Sequence, residues 1–221
     1  MAVERLAYQV AWWAGRARLR FPAGRRPVAL PAAGPAAAVH LSAVARLPAP
    51  VADAVAAATA RLRAHDPGHH YYRPRTMHVT VLNLDGFDLA GRLPELRAAI
   101  AACGPVGLTV RGLNLSPATV FAQGFLDDAR LPVLRRRLAR LHAPAGRWRR
   151  PLARRVAVAN AVRFAAPPSA AFLAELAGLR RLGFGRATLT EVEVVRTDRL
   201  LSPEGTLLVE RVRLAGGLPP G

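Results

Sequence analysis

The sequence predicts an α+β domain built on antiparallel sheets. Three observations carry that expectation. Segments with strand-like alternation are interleaved with amphipathic helical stretches, strands follow one another as sequential hairpins, and one strand segment recurs 77 residues further along the chain.

The elements follow in order. Residues 3–19 have helical periodicity, with Leu6, Val10, Trp13 and Ala17 on one side. Such a face covers a core, or meets an anionic membrane surface where arginines flank it. Pro22 to Pro35 is a Pro/Gly/Ala/Arg linker, so the chain divides into an extension at 1–35, a domain at 36–215 and a tail at 216–221 that is expected to be disordered. Ala36 to Leu47 reads as a strand, with Val39 and Leu41 inward and His40 and Ser42 on the opposite face. A helix starts at Pro50 and runs to about His65, its apolar face formed by Val51, Val55, Ala58 and Leu62. A loop over Asp66 to Tyr72 leads to the strand Met77 to Leu84, which closes at Asp85-Gly86. Then come a helix over Leu89 to Cys103, a hairpin of Val106 to Leu115 and Ala118 to Leu126 turned at Ser116-Pro117, and a helix over Ala129 to His142. A strand over Arg154 to Phe164 precedes a helix capped by Ser169, with Phe172, Leu173, Leu176 and Leu179 inward. A second hairpin, Arg186 to Arg199 and Thr206 to Leu214, ends the domain.

Composition narrows the function. The chain has 221 residues, 52% of them hydrophobic, enough for one sizeable core or two small lobes sharing an interface. The single cysteine, Cys103, rules out an intrachain disulfide framework and falls on an apolar helix face. No run approaches the ~20 apolar residues of a membrane span, and Leu6 to Ala14 makes a poor signal peptide, so the expected location is the cytoplasm. No Walker or Rossmann glycine loop occurs, and the histidines lack partners at zinc-like spacing, so neither a nucleotide cofactor nor a metal is expected. Net charge is +18 and every basic residue is arginine, a bias that GC-rich coding also produces. Nine arginines fall between residues 135 and 155, with Trp148 among them and no acid. That stripe suits a nucleic-acid backbone, and equally it is the solvated side of a helix whose other side is Leu131, Leu134, Leu138 and Leu141.

The strand Met77 to Leu84 carries the chemistry. Side chains two apart on a strand share a face, so His78 and Thr80 point the same way. An imidazole that moves a proton beside a hydroxyl that hydrogen-bonds a phosphoryl oxygen suits phosphate chemistry. The repeat sets Arg155-Val156-Ala157-Val158-Ala159-Asn160 against His78-Val79-Thr80-Val81-Leu82-Asn83, as in a duplicated lobe with two strands facing one cleft. With these motifs the sequence resembles the two-histidine phosphoesterase superfamily, specifically the 2'-5' RNA ligase-like (LigT-like) proteins, over residues 36 to 214.

The resemblance implies two lobes related by an approximate two-fold axis, each a small antiparallel sheet backed by helices, with one His-x-Thr/Ser motif per lobe. It also implies metal-independent chemistry without a cofactor: one histidine acts as general base and the other as general acid, opening a 2',3'-cyclic phosphate or handling a 2'-5' linkage. His78 and Thr80 are then the catalytic candidates. On the repeat, Arg155 stands where the second histidine belongs and Ala157 where its hydroxyl belongs. A guanidinium stays protonated and moves no proton, but it attracts phosphate. Arg155, Tyr72 and Trp148 are the candidate phosphate or substrate contacts. His40, His69, His70 and His142 are alternative second imidazoles, and His40-x-Ser42 has a motif of its own. The expected partner is an RNA terminus or a nucleotide phosphodiester, bound by a monomer with reduced turnover. The alternatives are an inactive RNA- or nucleotide-binding protein of the same fold, and a basic scaffold.

Overall fold

The computed structural model describes residues 2–20, 40–142 and 155–217. The linker Pro22 to Pro35, Trp148 and the arginines at 147, 149, 150 and 154 lie outside them. The elements are α1 (Ala2–Arg20), β1 (His40–Arg46), α2 (Ala49–Arg63), β2 (His70–Tyr71), β3 (His78–Asn83), α3 (Leu89–Ala101), β4 (Val106–Leu115), β5 (Thr119–Leu126), α4 (Arg130–Leu141), β6 (Ala157–Arg163), α5 (Ala170–Gly178), β7 (Gly183–Leu189), β8 (Glu191–Thr197) and β9 (Leu207–Arg213). Local signals place the helix starts. Pro50 sits in the first turn of α2, Asp88 accepts from the Gly91 amide to cap α3, and Ser169 accepts from the Phe172 amide to cap α5.

All pairings are antiparallel, so the α+β class holds. The two sheets that the duplication implies are halves of one sheet, in the order β7-β4-β5-β6-β3-β1-β8-β9, with β2 beside β6. The halves meet at β3 and β6 through the pair Val79 and Ala159. A two-fold axis there exchanges β3 with β6, β1 with β5, β8 with β4 and β9 with β7. It also exchanges α2, which packs on β6 and β7, with α4, which packs on β3. Ala43, Val79, Val81, Leu82, Ala157, Ala159 and Ala161 turn to the face that carries these helices and are buried there. The opposite face stays open around β3 and β6.

The axis also corrects the register of the repeat. Val81 bulges against β1 and Ala161 bulges against β5, so the equivalent residues lie eighty positions apart, as Val79 and Ala159 do. The expected spacing of 77 is wrong by three. An odd slip inverts every side chain on a strand, so it put Ala157 and Ala159 on the open face when they are core. Chance alternation of alanine and valine produced the false match.

Two other expectations change. Helix α1 docks with the face opposite to the one expected. Tyr8, Trp12, Gly15 and Leu19 are buried, whereas Leu6, Val10 and Trp13 are 66%, 59% and 64% exposed. The docked face lies on the open side of β4 and β5. There Tyr8 packs on Phe121 and Phe125, the Asn114 side chain donates to the Tyr8 carbonyl, and the Tyr8 hydroxyl donates to the Gly124 and Ala157 carbonyls. Gly216, expected to begin a disordered tail, donates to the Ala101 and Cys103 carbonyls. Cys103 is buried, as expected, although α3 ends at Ala101, two residues before it.

Candidate functional site

On the open face, pairing assigns side chains without ambiguity. His78, Thr80 and Asn83 of β3 face outward from the core, and their two-fold equivalents on β6 are Val158, Asn160 and Arg163. All of these but Val158 line a concavity of about 420 Å³, together with Tyr72, His40, Ser42, Asp85, Asp198 and Arg199. The volume is toward the small end of ligand sites, which run roughly 300–1,000 Å³.

His78 is 5% exposed. Its Nδ1 stands 2.8 Å from the Thr76 carbonyl, which can only accept, so Nδ1 carries a hydrogen. The rigid turn Pro74–Thr76 therefore sets the tautomer. Tyr72 is buried beside β6: its amide donates to the Ala161 carbonyl, and its ring shares the concavity with Arg163 and Asn160. Burial raises the Tyr72 hydroxyl above its ordinary pKa while the neighbouring Arg163 pulls it down, so the phenol stays protonated near neutrality. The expected pair His78 and Thr80 thus shares the concavity with Tyr72. Arg155 does not line it and is exposed just before β6. Trp148 lies outside the described residues. Of the arginine stripe, Arg135 is buried and α4, with Arg136 and Arg140 exposed, sits on the helix-bearing face behind β3, away from the concavity.

His40 occupies the far end of the same wall. Its Nδ1 lies 2.9 Å from Asp85 and its Nε2 accepts from Arg199 Nε at 3.0 Å. Burial works against the Asp85 charge, but hydrogen bonds from His40, Asn83 and the Leu41 amide outweigh it and hold the carboxyl below its ordinary pKa. Arg46 is the β1 partner of His78, and His40 lies six residues from it, roughly 20 Å along a strand. The two imidazoles therefore do not face one phosphorus. His69 is packed between Phe164 and Phe172, and His142 against Phe87, which leaves both outside the concavity.

Sequence reasoning missed Asn160, Arg163, Asp85, Asp198 and Arg199. The β8–β9 turn brings in the last two. Asp198 accepts from the Leu200 and Ser202 amides and from the Ser202 hydroxyl, folding the turn back so that Leu201 packs on Val44 and Val195. Leu201 has a φ of 50°, an uncommon left-handed conformation for a branched side chain. Proximity of Asp198 and Arg199 to the site has no local sequence signal.

No protein-family model and no curated protein matches the chain. Solved structures do. TT0787 of Thermus thermophilus superposes with a TM-score of 0.60 at 22% identity, covering 80% of this chain and 98% of that one. LigT of E. coli, solved in complexes with ATP and with 3'-AMP, gives a TM-score of 0.52 at 16% identity in each case, again covering 80% and 98%. A structure described as a phosphoesterase gives 0.53 at 16% identity with the same coverage. At these identities the likeness speaks for architecture, and it agrees with the two-fold pattern of strands and helices: the chain has the LigT-like fold.

Proposed function

We propose that the concavity binds the phosphate of a nucleotide or RNA terminus, with His78 as the proton carrier and Thr80 and Arg163 as phosphate contacts, and that turnover is slow. The observation that carries this reading is the two-fold equivalence of His78 with Val158. Opening a 2',3'-cyclic phosphate needs a base to take a proton from water as its oxygen attacks phosphorus. It also needs an acid to protonate the 2'- or 3'-oxygen as the P–O bond breaks. His78 Nε2 supplies the first function. Val158 supplies no proton, so the leaving oxygen draws one from solvent, which typically costs about 10²–10⁴ in rate. Binding needs no second histidine. The Thr80 hydroxyl and the Arg163 guanidinium, which line the concavity beside Tyr72, are suited to an anionic oxygen. The nucleotide complexes of E. coli LigT support a nucleotide as ligand class.

The test compares the natural protein, His78→Ala and Val158→His/Asn160→Thr on a 2',3'-cyclic mononucleotide. The natural protein is expected to bind it and hydrolyse it slowly, and the double variant to hydrolyse it at least about tenfold faster. Removing His78 from the double variant is expected to abolish the gain, because the two histidines act as a unit. Fast hydrolysis by the natural protein, or hydrolysis indifferent to His78→Ala, would refute the assignment.

A further inference from the structure

On the other side of Leu201, which lines both, lies a second cavity of about 400 Å³ whose wall carries Arg46, Arg73, Arg75 and Arg211 around a single acid, Glu193. We propose that this groove is a second phosphate subsite, which receives the next phosphodiester of a nucleic-acid chain whose terminal phosphate sits at His78. The inference rests on the reading above and adds to the terminal phosphate a place for the next one along the chain.

Charge comes first. Glu193 accepts from Arg46 Nε at 2.8 Å and from Arg211 Nη2 at 3.1 Å, so it is already shared between two guanidinium groups. Arg73 and Arg75 are exposed and form no ion pair among the described residues. Two guanidinium groups therefore remain for anionic oxygens. The segment that carries them is held in place. Pro74–Thr76 is one 3-10 turn, the Thr76 hydroxyl donates to the Arg73 carbonyl at 2.8 Å, and Arg46 Nη1 reaches the Arg75 and Thr76 carbonyls. Thr76 also fixes the His78 tautomer, so groove and site share one short stretch of rigid backbone. A site on such a scaffold loses little entropy on binding.

Direction is set by what lies on the other side. A chain leaving His78 toward the second half of the sheet meets α1, whose Tyr8 and Trp12 are buried over the open face of β4 and β5. A chain leaving toward Leu201 enters the basic groove. A neighbouring cavity of about 780 Å³ shares Arg46, Arg73 and Arg75 and adds one acid, Asp53.

The experiment is displacement of a fluorescent 2',3'-cyclic mononucleotide analogue from the full chain at about 0.15 M salt. The competitors are the unlabelled mononucleotide, a tetranucleotide with a 2',3'-cyclic phosphate end, and a hexaglutamate peptide. The tetranucleotide is expected to displace the probe about tenfold more effectively than the mononucleotide from the natural protein, and no more than about twofold more effectively from Arg73→Ala/Arg75→Ala. Displacement by the mononucleotide should be the same in both. The inference is overturned if the natural protein shows no gain with length, if the gain survives the double substitution, or if hexaglutamate matches the tetranucleotide. Failure of the probe to bind, or binding unaffected by His78→Ala and Arg163→Ala, is a different result. It refutes the mononucleotide site itself and the groove with it.

Discussion

Replacing Arg135 with methionine should cost the protein about 3–5 kcal/mol of folding stability. Arg135 projects from α4, is 1% exposed, and donates from Nε to the Val81 carbonyl at 3.0 Å, from Nη1 to Val156 at 2.7 Å and from Nη2 to Thr80 at 2.6 Å. Two of those carbonyls belong to β3 and the third immediately precedes β6. The side chain therefore bridges the strands where the ladder contributes one residue pair. Each hydrogen bond to a charged group contributes about 1.5–3 kcal/mol, so three give roughly 5–9 kcal/mol. Desolvating the guanidinium costs several kcal/mol, which brings the net to the range above. Methionine fills most of the volume, so a cavity adds little. Typical domains hold about 5–15 kcal/mol in total, and the loss would lower Tm by about 10 °C. Urea unfolding followed by circular dichroism measures it. Arg135→Lys should recover no more than about half, because an ammonium cannot span three carbonyls with a planar fork. A methionine variant within about 1 kcal/mol of the natural protein would show that the two halves hold together without this side chain.

Four further outcomes are expected. Tyr72→Phe removes a hydroxyl from the wall that Arg163 and Asn160 share, and should weaken nucleotide binding about three- to tenfold in a titration while costing about 1 kcal/mol in stability. Unaltered affinity would remove Tyr72 from the site. Gly112→Ala should cost about 2–4 kcal/mol in urea unfolding, because Gly112 has a φ of 76° and an added Cβ would strike the Arg180 carbonyl and the Gln123 side chain. Burial lowers the pKa of His69 below 6.5 against the pull of Asp66. Above that pH the ring is neutral whether folded or not; as pH falls below it, the unfolded chain takes the proton first and stability declines until the folded ring titrates. His70 shifts the same way, so His69→Gln should flatten the decline between pH 7 and 5 only in part. Equal slopes would discount His69. Affinity for short RNA should fall steeply with salt if several phosphates are held, and a flat dependence would confine contact to one.

Much of the fold was legible because strands and helices here follow their periodicities. The cap at Ser169, the turn after Leu115 and the outward pair His78 and Thr80 all follow from nearest neighbours in sequence. What failed needed knowledge from outside the segment. The repeat register depended on two bulges, and composition rich in alanine and valine offered a better-looking match three residues away. In α1 two apolar stripes compete. Periodicity cannot rank them, but Gly15 marks the docked one, since a Cβ there would come within 2.8 Å of the Leu115 carbonyl. Arg163 was invisible as a lining residue because only the corrected register puts it on the open face.

The reversed docking of α1 gives the helix an optical gauge of its own attachment. Trp12 is 2% exposed, with the Arg180 guanidinium 4.1 Å from its ring centre, while Trp13, next in sequence, is 64% exposed. One indole emits from a shielded cavity and its neighbour from water. Release of the helix would move the Trp12 emission to the red and leave Trp13 almost unchanged. Subtracting the spectrum of Trp12→Phe from that of the natural protein therefore isolates a signal for α1 attachment, read without a label while nucleotides are titrated into the same sample.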